Sequence, residues 1–113
     1  MSDLASLQQR VKIFGSERKF DKYHQPKDVA IDIIEEAAEL LEHFQWRNGD
    51  ELASYVAAHR EDIEDELMDV LHGVLLMANT MDIDIVDAFE RKMKKNEIKY
   101  PAQVDFEKEH DHS

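Results

Sequence analysis

At 113 residues the chain suits one domain with one core, and its 42% hydrophobic residues are enough to build it. Three glycines and two prolines leave few turns for a multistranded sheet, and the lack of cysteine excludes a disulfide framework and a thiolate metal site. Twenty-six acidic against fourteen basic residues give a formal net charge of -12, which argues against a nucleic-acid polymer as partner, because phosphates are neutralised by clustered Lys and Arg.

The N-terminal MSDLASLQQR lacks the apolar stretch of a secretory signal, and no apolar run approaches the ~20 residues of a membrane span. The expectation is a soluble, cytoplasmic protein without a membrane partner. A first helix is predicted over about 3–14, with Leu4, Leu7, Val11 and Phe14 on one side and Gly15 ending or bending it. After the connector SERKFDKYHQP, Pro26 and Asp28 mark a helix start. This second helix is expected over about 27–46, with Ala30, Ile33, Ile34, Ala37, Leu40, Leu41 and Phe44 as its core stripe. RNGD breaks it, and residues 50–59 form either a short helix or the first turns of the next.

The third helix, about 60–81, carries Ile63, Leu67, Val70, Val74, Met77 and Met81 as one stripe. Met68, Leu75 and Leu76 fall outside it, so its C-terminal half is apolar nearly all round. Four short helices of one chain cannot cover that second face, which therefore reads as a subunit interface. Asp84 caps the fourth helix, and Pro101 stops it. The fold class is all-α, a bundle of four to five helices over 1–101 with a polar tail over 102–113.

The acids are not spread evenly. Residues 32–69 hold thirteen acids and only two bases, Arg47 and Arg60, whereas 91–99 hold Arg91, Lys92, Lys94, Lys95 and Lys99. At 100° per residue, Asp32, Glu36, Glu39 and His43 form one strip flanking the second helix's apolar stripe, while Glu35 and Glu42 fall nearer solvent. On the third helix Asp62, Glu66, Asp69 and Gly73 form a strip of the same spacing. Antiparallel packing would converge Glu36 and Glu39 on Glu66 and Asp69. Four such carboxylates cannot all stay ionised without a cation, and an oxygen-only set suits Mg²⁺ or Mn²⁺. Gly73 is expected to leave room beside the metal. The plain alternative is two acidic helix flanks in water, which is the usual meaning of any single pair of this kind.

The stretch EEAAE (35–39) followed by ELMD (66–69) resembles the EExxE…ExxD signature of the MazG-like, all-α nucleoside triphosphate pyrophosphohydrolases. YHQPKD, FQW, EDELMDVL and KMKKNEIKYP are similar, in the same order, to segments of the dCTP pyrophosphatase-like branch, and the likeness covers about residues 4–101. The resemblance implies a MazG-like bundle completed by oligomerisation, as a homodimer or a dimer of dimers with sites built across the interface. It implies Mg²⁺-dependent hydrolysis of a (deoxy)nucleoside triphosphate between the α- and β-phosphates, giving a monophosphate and pyrophosphate, as nucleotide-pool house-cleaning. Glu36, Glu39, Glu66 and Asp69 match the metal ligands, and Glu35 matches an acid that orients or deprotonates the attacking water. Lys92, Asn96, Lys99 and Tyr100 match phosphate- and sugar-side positions, and His24 and Trp46 match positions near the base. Phe20 stands where relatives often carry tryptophan, and Gly73 where some carry an aromatic. A stack contributes about 1–3 kcal/mol per base, so a looser base pocket is implied.

Two rival functions remain at this level. A di-iron bundle needs Glu-x-x-His on two helices, and Asp69-x-x-His72 is the only near match. A non-enzymatic acidic interaction module explains the amphipathic helices but not the aligned acids. Of the other histidines, His43 reads as a surface residue, His72 as a packed one, and His110 and His112 as tail. The basic run of the fourth helix is by default a solvated face, although Lys92, Asn96 and Lys99 share one side.

Overall fold

The computed structural model describes residues 3–19 and 25–102, and the regular elements among them are five helices: α1 (Leu4–Glu17), α2 (Pro26–Glu42), α3 (Gly49–Ala58), α4 (Arg60–Thr80) and α5 (Ile85–Lys99). The starts follow local chemistry. Asp3 caps α1 by accepting from the Ser6 amide at 2.8 Å, Pro26 opens α2 where no amide donor is needed, and Asp84 caps α5 by accepting from the Asp87 amide at 3.1 Å.

Two helix ends differ from expectation. α1 runs through Gly15 to Glu17, and the left-handed residue is Lys19 (φ 57°). A mid-helix glycine costs about 1 kcal/mol relative to alanine, too little to stop a helix anchored through buried Val11. α2 stops at Glu42 and residues 43–46 form a turn. The Arg47 guanidinium donates to the carbonyls of Glu42 and His43 at 3.1 and 3.0 Å and lies 3.6 Å from the centre of the Tyr55 ring. That ring stacks on His59 at 4.0 Å, and the Tyr55 hydroxyl shares a 2.8 Å hydrogen bond with His43 Nδ1. His43 is thus a half-buried joint between α2 and α3, not a surface residue.

α2 and α4 form the most extensive helix pair, α1 packs on α4, and α5 packs on α1. Ile33 lies beside Gly73 while Glu36 and Glu39 lie beside Glu66, so α2 and α4 run antiparallel. The buried apolar residues among those described are few: Val11, Val29, Leu75 and Ala78. Leu75, expected on an uncovered face, is buried because α1 docks on that side of α4. The expected core stripe is instead partly open, with Leu67, Val74 and Met81 exposed on α4, and Ile34 (68% exposed) and Leu41 on α2. α5 likewise leaves Val86, Phe89 (56% exposed) and Met93 uncovered. The radius of gyration is 17.8 Å, against about 13 Å for a compact chain of this length. Among the described residues no helix is long and apolar enough to cross a membrane.

Candidate metal centre

Glu36 and Glu39 project from successive turns of α2 and meet Glu66 of α4. One carboxylate oxygen of each lies within 4.8 Å of the other two. Glu36 Oε2 and Glu66 Oε2 are both buried and have no hydrogen-bond partner. A carboxylate is acceptor-only when ionised, so with all three ionised these two oxygens have no donor. The Glu66 carboxyl is accordingly pushed up from 4.5 to about 8. The first cause is the hydrogen bond it makes to Glu36 when it keeps its proton. Burial comes next, then the hydrogen bond to Glu39 and the charges of Glu39 and Glu36. Arg60 of α4 pairs with Glu64, and Arg91 of α5 with Asp87, both on the surface.

These buried, donorless oxygens are what a hard divalent cation would satisfy. The set is all oxygen, and among the described residues no histidine joins it, which suits Mg²⁺ or Mn²⁺ more than the histidine-bearing di-iron pattern.

Asp69 is not one of the three carboxylates that meet within that distance. It lines a cavity of about 260 Å³ alongside, together with Val29, Asp32, Glu35, Glu36, His72, Gly73 and Leu76. Glu36 belongs to both, so the cavity opens directly onto the cluster. His72 is an exposed cavity-wall residue with its ring edge-on to Phe14 at 5.7 Å, not a packed one. Its position three residues after Asp69 was the available signal. Gly73 differs from expectation as well: a methyl added there would lie 2.8 Å from Ile33 Cγ1. The glycine permits close approach of α2 and α4 rather than leaving free room.

The described lining of this cavity comes from α2 and α4 alone. Lys92, Asn96, Lys99 and Tyr100 sit on α5 or just after it, and none of them is in that lining. Trp46 is 81% exposed, beyond the end of α2. Phe20 and His24 lie outside the described residues.

A model of the MazG-like family matches residues 31–113. Mouse and human dCTP pyrophosphatase 1 are 30% and 31% identical over 93 residues, 80% of this chain. The chain spans about half the length (55%) of these curated relatives. The crystal structure of a pyrophosphatase from Archaeoglobus fulgidus superposes with a TM-score of 0.79 at 38% identity, covering 90% of this chain and 95% of that one.

Proposed function

The chain belongs to the MazG-like family, and from that premise we propose that it hydrolyses (deoxy)nucleoside triphosphates between the α- and β-phosphates to a monophosphate and pyrophosphate. The observation that carries this reading is the pair of buried, donorless oxygens on Glu36 and Glu66 beside Glu39. When bound, Mg²⁺ (with Mn²⁺ as a substitute) held by Glu36, Glu39, Glu66 and Asp69 would supply Lewis-acid polarisation of the phosphates and a more acidic water.

The rest of the work falls to the chain. Glu35, on the cavity wall next to Glu36, orients the attacking water and accepts its proton. The water oxygen bonds to the α-phosphorus, and the bond to the bridging oxygen breaks and releases pyrophosphate. Lys92 and Lys99 neutralise the outer phosphates, Asn96 and Tyr100 serve the sugar side, and Trp46, His24 and Phe20 flank the base. The exposed indole of Trp46 suits that role.

Because α5 contributes nothing to the described lining of the cavity, the working unit is a homodimer or a dimer of dimers in which a second copy completes the site. Ile34 and Leu41 on α2, and Leu67, Val74 and Met81 on α4, are exposed at seven-residue intervals, the spacing of a helix–helix seam. The enzyme acts in the cytoplasm on the free nucleotide pool, with 1–101 as the catalytic unit and 102–113 as a polar tail.

A panel of nucleoside triphosphates with Mg²⁺, beginning with dCTP and with products separated, tests the reading. Monophosphate and pyrophosphate are expected. Orthophosphate and a diphosphate would overturn it.

A further inference from the structure

The turn from α4 into α5 is held from across the chain by one side chain. Gln8 of α1 donates from Nε2 to the Ile83 carbonyl at 2.8 Å, and its Oε1 accepts from the Ile85 amide at 3.4 Å. Its amide thus engages both peptides that flank Asp84, 75 and 77 residues away in sequence. From α4, the Asn79 side-chain amide donates back to the Gln8 carbonyl at 3.0 Å. The turn's own contacts are local: Asp82 is left-handed (φ 58°), and the Ile83 amide donates to the Ala78 carbonyl at 2.7 Å. Beside it lies a polar cavity of about 360 Å³ lined by Gln8, Lys12, Asn79, Asp82, Ile83 and Asp84, so the turn has space to shift.

The leverage is large. At 1.5 Å per residue Lys99 stands about 21 Å beyond Ile85, so a swing of about 10° moves it by roughly 3.7 Å and Lys92 by roughly 1.8 Å. A misplacement of about 1 Å can cost up to a hundredfold in a reaction that depends on orientation.

We propose that Gln8 is a positioning residue that fixes the direction of α5 and thereby aims Lys92 and Lys99 at the substrate's phosphates. This rests on the pyrophosphohydrolase reading above. The acid cluster lies on α2 and α4 and does not depend on Gln8.

Gln8→Met keeps the volume and removes both side-chain hydrogen bonds. The variant should fold, keep the wild-type thermal shift with Mg²⁺ alone, and exchange amide hydrogens faster at Ile85–Ala88. Its KM for the best nucleotide should rise roughly tenfold, with kcat reduced much less. Combined with Lys92→Met and Lys99→Met it should be no worse than the two lysine substitutions without it, because Gln8 acts through those two contacts. An unchanged KM beside faster exchange, or a fully additive further loss when Gln8→Met is added to the two lysine substitutions, would overturn the proposal while leaving the activity intact. A wild-type protein that hydrolyses no nucleotide would instead defeat the functional reading, and the role of Gln8 with it.

Discussion

Glu36 and Glu66 meet across the α2–α4 seam with one buried, unpartnered oxygen each, and the proton that Glu66 retains is what links them without a cation. A divalent cation that binds only the folded state should therefore raise stability. At a hundredfold excess over Kd the gain is about 2.7 kcal/mol. Thermal melts of EDTA-treated protein with and without Mg²⁺ measure it, and an unchanged Tm would mean that the carboxylates bind no metal.

Glu39→Gln should have opposite effects in the two states. It removes one repelling charge, so the metal-free variant should be at least as stable as wild type. It also removes a ligand, so the Mg²⁺ shift should shrink and pyrophosphate release should collapse. Glu42→Gln, three residues on and exposed, is the control and should leave both nearly intact. Equal behaviour of the two variants would reduce the cluster to an acidic helix flank.

The raised Glu66 carboxyl makes metal-free stability depend on pH. Its folded value is about 8, above the ordinary 4.5, so the folded chain binds more protons between those limits. Its contribution is present in full below about pH 4.5 and is lost as pH rises towards 8. Urea melts in EDTA across that range should lose stability with rising pH, and Glu66→Gln should flatten the slope. Mg²⁺ affinity should run the other way, rising with pH as the proton leaves. A metal-free stability that climbs over the same range would contradict the arrangement.

Phe89→Asp tests assembly. An exposed phenylalanine on α5 with Val86 and Met93 beside it points to burial against another copy, where a carboxylate would be desolvated. Sedimentation should show wild type as at least a dimer at micromolar concentration, and the variant shifted towards monomer with reduced activity. A wild type that sediments as an active monomer would sink the shared site.

Gly73→Ala should loosen the α2–α4 seam. Alanine gains about 1 kcal/mol of helix propensity, but overpacking against Ile33 costs about 1–3 kcal/mol. The expected result is a net loss of up to about 2 kcal/mol and a smaller Mg²⁺ shift, read by the same melts. A variant more stable than wild type would mean that Ile33 simply rotates away.

Helix starts were legible because caps are local: Pro26 acts through its own ring, and Asp84 through a carboxylate that reaches an amide only three residues on. The register of Glu36 and Glu39 against Glu66 was legible because it needs only the helical period and antiparallel packing. Asp69 stands outside that group of three and lines the cavity beside it, a separation that the helical period alone does not carry. Nor was the choice of covered face on α4 legible. Periodicity finds apolar rows, but only the docking of α1 decides that Leu75 is buried and Val74 left open. That α5 contributes no residue to the described lining of the cavity is likewise a tertiary fact that no local pattern in KMKKNEIKYP carries.

Trp46 is the chain's single tryptophan, and it stands almost wholly in water. Its emission therefore comes from one place and should begin at the red end of the indole range. A base laid on that ring would quench and shift it. With the base on Trp46, as proposed, the protein would carry its own optical gauge of nucleotide occupancy. A fluorescence titration with a non-hydrolysable triphosphate needs no attached dye, and a stopped-flow trace would time binding apart from turnover.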